Sequence, residues 1–195
     1  MYKDTSCPVT GEPYCKCEHA DGVVFLSPNH KDTLRKLFSD HAVYTKMVIV
    51  AVLDSRPEAD FLTKRLLDNQ PEIGDFLGQF IGRESGDAVT NLLTEHIKTA
   101  AAIVTKLRDN SRDIQKDIDF LFNNSERVAK ALSGLPSSKL DYGIVHKEFD
   151  QHNDFVLALA KLHKKAMYEK EITTYDAYYV HMLKFSDMLC DGLIY

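Results

Sequence analysis

Residues 34–53, LRKLFSDHAVYTKMVIVAVL, carry the reading of the fold. Leu34, Leu37, Phe38, His41, Tyr44, Thr45, Val48, Ile49 and Val52 recur in steps of three and four, which places them on one side of an α-helix. Asn29 or Asp32 is suited to cap its start, because each offers a side-chain oxygen to free backbone N–H groups. The helix should stop near Asp54-Ser55-Arg56, since Pro57 disfavours helix in the residue before it. One polar pair, Asp40-His41, interrupts the apolar face.

That pair recurs. An offset of 55 residues carries Leu37 onto Leu92, Asp40-His41 onto Glu95-His96, and Val48, Ile49 and Val52 onto Ile103, Val104 and Leu107. The following helices match at the same offset: Leu66 with Leu121, Leu67 with Phe122, Asn69 with Asn124, Ile73 with Val128, Leu77 with Leu132. A fainter third copy places His152 after His96 at an offset of 56 and His181 after Asn124 at an offset of 57. The unit is a helical hairpin. One hairpin cannot bury its own apolar face, whereas several packed together can. The expectation is an all-α bundle of about six helices, built from two to three repeated hairpins, over residues 31–195.

The remaining helices follow from the same template. A second helix is predicted from Pro57, a residue suited to a first turn, with a kink at Pro71. Gly82 and Gly86 bracket a turn, and a third helix spans roughly Asp87 to Arg108. A fourth runs through Ile114, Ile118, Leu121, Phe122, Val128 and Leu132, ending at Gly134 and Pro136. A fifth starts at a Ser137-Ser138 cap and reaches about Glu169. A sixth runs from Thr173 or Thr174 to near Asp191. Residues 1–30 lack helical periodicity and hold three prolines and three cysteines, so they form an irregular N-terminal segment. Val23–Leu26 is the one strand candidate.

Composition narrows the function classes. The 195 residues are 44% hydrophobic and 27% charged with a net charge of −5, ordinary for a soluble globular protein. No basic stripe interleaves with aromatics, which argues against nucleic acid as a ligand; the basic run Lys161–Lys170 reads as an exposed helix face. No apolar run is long enough to span a membrane, and the N-terminus lacks the apolar core of a signal peptide. Four unevenly spaced cysteines do not read as a disulfide framework, so a reducing, intracellular and cytoplasmic setting is expected.

The candidate chemistry lies in the histidines. His41, His96 and His152 occupy corresponding places, and Tyr44, Asn69, Asn124, His181, Asp187 and Asp191 lie on or beside the inward faces. Imidazole and carboxylate are good ligands for zinc, iron or manganese, so His41, His96, His181 and Asp187 form a candidate metal set. The Glu-x-x-His of di-iron bundles and the HExxH of zinc proteases are absent. The structural alternative is simpler. A buried imidazole bonded to Asn on the partner helix, His41 with Asn69 and His96 with Asn124, would lock helix register twice over. A second candidate is Cys7, Cys15, Cys17 and His19, four soft ligands for a tetrahedral zinc, although the spacing matches no common zinc finger. No Gly-rich phosphate loop and no Gly-x-Ser-x-Gly occurs, and no catalytic residue is assigned.

Several stretches resemble an uncharacterised family of all-helical, mainly bacterial proteins. They are LRKLFSDHAVYTKMVI, RLLDNQPEIGDFLGQFIG, LLTEHIKTAAAIV, FNNSERVAKAL and HMLKFSDMLCDGLI. The matching positions include His41, Asn69, Gln70, His96, Asn124, His181 and Asp187. The resemblance implies a helical bundle and carries no activity. This chain departs from the family pattern in having no tryptophan, in its cysteine-rich N-terminus, which would suit a non-bacterial source such as a large DNA virus, and in carrying His146-Lys147 where the family has a Glu-His pair. The functional expectation is a non-enzymatic structural or protein-interaction bundle with a protein partner or self-association. The alternative is a bundle that binds a metal or small ligand through inward histidines.

Overall fold

A computed structural model of the chain describes residues 29–194. Six helices run in order: α1 His30–Leu53, α2 Ala59–Ile81, α3 Arg83–Arg108, α4 Gln115–Ser133, α5 Tyr142–Lys164 and α6 Tyr168–Leu193. There is no strand among the described residues, and no described helix is long and apolar enough to cross a membrane. The candidate strand Val23–Leu26 and the N-terminal cysteines lie outside the described residues.

The packing has a simple order. Each helix packs against its sequence neighbours, and α6 returns to α1 and closes the ring. Within that ring α1, α3 and α5 also touch one another pairwise. The first helix of every hairpin is therefore an inner helix. Leu34, Ile49, Ile73, Leu77, Leu121, Leu132, Leu159 and Leu189 are among the largest fully buried side chains.

Local signals explain the helix ends. The Asn29 side chain accepts from Asp32 N–H at 2.8 Å, so Asn29 rather than Asp32 caps α1. Asp141 caps α5 by accepting from Ile144 N–H at 2.9 Å, in place of the expected Ser137-Ser138. One closure ends α1, α3 and α5 alike. Ser55, Asn110 and Ala166 adopt left-handed φ values of 54°, 56° and 53°. The next residue's N–H then reaches back five positions: Arg56 to Ala51 O, Ser111 to Lys106 O, and Met167 to Leu162 O. This is a Schellman ending, which satisfies carbonyls that the helix itself leaves open.

Two sequence expectations change. The fifth helix ends at Lys164 and the sixth begins at Tyr168, so the turn sits inside the Lys161–Lys170 run. The residue that makes it, Ala166, is neither glycine nor asparagine and gives no turn signal. Helix α2 continues through Pro71 to Ile81. Gly82, with φ 89°, is the break before α3, and Gly86 lies inside α3. Gly86 is needed for close approach: a Cβ there would lie 2.6 Å from Gly74 O and 2.8 Å from Gly78 Cα. α2 and α3 thus cross through glycines, backbone against backbone.

Candidate functional site

Because α1, α3 and α5 are the inner helices, one histidine from each meets near the bundle axis. His152 lies between His41 and His96, with ring centroids 5.6 and 5.3 Å away, and all three rings are buried. Tyr178 of α6 packs 5.5 Å from the His152 ring, and His152 Nδ1 is 3.2 Å from Met182 Sδ. Two small cavities flank the cluster, and His41, His96 and His152 line both. They offer about 30 and 20 Å³ of room for water centres. Each is thus the size of a water or two. Gln70 Oε1, from a residue lining the first cavity, has no hydrogen-bond partner among the described residues, whereas Thr45, which lines the second, faces the Tyr178 hydroxyl.

Each inner histidine is tied to the outer helix of its own hairpin. His41 Nδ1 stands 3.3 Å from Asn69 Oδ1, a contact in which the ring nitrogen donates. The Asn69 amide donates in turn to Leu37 O at 3.1 Å. Fifty-five residues later the Asn124 amide donates to Leu92 O at 3.0 Å. There His96 Nδ1 and Asn124 Oδ1 face each other more loosely than a formed hydrogen bond requires. The outer ends are charge-paired, Asp40 with Arg65 at 3.4 Å and Glu95 with Arg127. In the last hairpin His181 bonds the Glu148 backbone and stands 3.4 Å from the Glu148 carboxylate.

Burial decides the charge of these rings. Desolvation pushes His41 and His96 down to about 4, with His96 adding to the effect on His41, and the Asn contacts oppose it only in part. His152 is driven well below the ordinary value by burial first, then by His96, His41 and His181. All three are neutral at pH 7. Burial likewise raises the Tyr178 hydroxyl. A neutral imidazole core of this kind donates and accepts hydrogen bonds and holds no charge.

The expected metal set is only partly assembled. His41 and His96 come together with His152. His181 lies against Phe155 and Phe185, centroids 5.5 and 6.1 Å away, with Glu148 as its polar partner. Asp187 receives the Arg35 guanidinium through two 2.6 Å hydrogen bonds. Among the described residues no group of three or more His, Cys, Asp or Glu side chains is arranged to hold a metal ion. The second candidate set, Cys7, Cys15, Cys17 and His19, lies outside the described residues. Met182 and Tyr178 complete the cluster, and in the sequence both look like ordinary core residues.

Comparison of the chain with protein-family models, curated proteins and solved structures gave no match in any of the three.

Proposed function

We propose that the protein is a non-enzymatic helical-bundle protein, a scaffold or interaction module, in which the inner histidines lock helix register. What carries this reading is the His41–Asn69–Leu37 chain and its counterpart, Asn124 on Leu92, at the same 55-residue offset. In this reading α1–α2, α3–α4 and α5–α6 are three copies of one hairpin, the third with His181 in place of the asparagine. The rings are buried, and the cavities beside them are of water size, too small for an organic substrate. Self-association or a protein partner would use the outer faces of the bundle.

A second reading is favoured by one observation, the convergence of three imidazoles on two water-sized cavities. Such a space would accept an ion and not an organic ligand. Zinc, iron or manganese would then bind through His41, His96 and His152, after the rings turn.

Elemental analysis of the purified full chain, with His41→Ala beside it, separates the two. The register reading expects no stoichiometric metal and a stability loss of about 2–4 kcal/mol in His41→Ala, from lost packing and an unpaired Asn69. Stoichiometric metal that survives dialysis and vanishes in the variant would overturn it.

A further inference from the structure

A second cluster of titratable groups lies away from the histidine core, where the C-terminal ends of α1 and α5 meet the first turn of α6. His163 Nδ1 stands 3.0 and 3.1 Å from the two Glu171 carboxylate oxygens, and its Nε2 stands 3.0 Å from Asp54 Oδ1. Glu171 is 3% exposed and also receives Lys46 Nζ. Asp54, at the C-cap of α1, is additionally held by Arg56 at 2.7 Å. The Tyr168 ring packs edge-on against His163 at 5.7 Å. Lys164 points elsewhere, to Leu107 O and Asn110 at the end of α3. The groups facing the imidazole are therefore Asp54 from α1 and Glu171 and Tyr168 from α6, with Arg56 and Lys46 behind the two carboxylates.

Carboxylate oxygens only accept hydrogen bonds, so each ring nitrogen must carry a proton for both contacts to form. A neutral imidazole has one proton for two carboxylates. We propose that His163 is a proton-operated clasp between the end of α1 and the α5–α6 turn, closed when both ring nitrogens are protonated and opened on the Asp54 side when one proton leaves. The open side follows from exposure. Glu171 is buried and keeps its imidazole donor, because water has little access there to replace a lost hydrogen bond. The Asp54 side chain is 38% exposed, so water can replace the imidazole there. Lys46 stays on Glu171 in either state, so α6 remains docked while the α1 end is released. In the closed state His163 is not a free general base, since both of its nitrogens are engaged.

Three backbone N–H groups report on the α1 end: Asp54 to Val50 O, Ser55 to Val52 O and Arg56 to Ala51 O. The test is amide hydrogen exchange of the full chain across the pH range in which the His163 ring titrates by NMR, corrected for the intrinsic pH dependence of exchange. Opening predicts that exchange at residues 54–56 accelerates through that titration by roughly threefold to tenfold, in keeping with loss of one charge-assisted hydrogen bond. In His163→Gln the step should be absent. A flat wild-type profile, or the same step in His163→Gln, would overturn the proposal. Asp54→Asn gives an independent reading if His163→Gln fails to fold. With the carboxylate at Nε2 gone, exchange at residues 54–56 should already be raised at the acid end and the step should shrink, and a step as large as the wild type's overturns the proposal as well.

Discussion

His152 lies between His41 and His96, 5.6 and 5.3 Å from their ring centres, on the middle of three mutually touching inner helices. A proton on any one ring would place an uncompensated cation beside two other imidazoles, in a space with no carboxylate among its lining residues. The cluster therefore couples the fold to acid.

The sign follows from the direction of the shifts. His41 and His96 fall from 6.5 to about 4 in the folded chain, so the unfolded state binds their protons first. Their contribution is fully present above pH 6.5 and is lost as pH falls toward 4. A shift of that size makes each histidine worth about 3 kcal/mol across that window. Denaturant unfolding at pH 7 and pH 4.5 should show a large loss, with the native imidazole resonances unshifted through pH 6. Either ring titrating near 6.5 in the native state would sink the prediction.

The two buried asparagines supply a matched pair of tests. Asn69 donates to Leu37 O at 3.1 Å and Asn124 to Leu92 O at 3.0 Å, and both side chains are wholly buried. Asn69→Ala and Asn124→Ala each remove a buried hydrogen bond and leave a small cavity, an expected cost of about 2–3 kcal/mol. Asn69→Ala should cost somewhat more, because it also strips the His41 ring of its formed partner. Two-state urea titrations of both variants check this. A near-neutral result at either site would remove the register role from that hairpin.

The parts of the fold that could be read from the sequence are those made by local pattern. The His41–Asn69 contact spans 28 residues within one hairpin, and the 55-residue offset marks both residues in the sequence. The inner position of α3 and the glycine crossing could not be read this way, because Gly86 looks like a turn residue until Gly74 and Gly78 are seen against it. His163 and Asp54 are 109 residues apart and sit at helix ends, where no periodicity marks a partner. His181 enters the candidate metal set by its inward position and its offset from Asn124; its partner in the fold, Glu148, sits on α5, in the pair of helices with the weakest repeat signal.

The α5–α6 turn gives the last prediction. Ala166 holds φ 53°, the conformation that Asn110 and Ser55 supply at the ends of α3 and α1. For a residue with a Cβ, this region costs about 1–2 kcal/mol relative to right-handed backbone, and glycine escapes most of that cost. Ala166 is exposed, so no packing is lost on removing its methyl group. The gain is offset by the greater freedom of glycine in the unfolded chain. Ala166→Gly should therefore stabilise the protein by about 0.5–1 kcal/mol, read as a raised denaturation midpoint at unchanged slope. Ala166→Val should do the reverse, since a β-branched side chain is poorly tolerated at positive φ. If Gly and Val shift the midpoint in the same direction, the turn does not hold this conformation in solution.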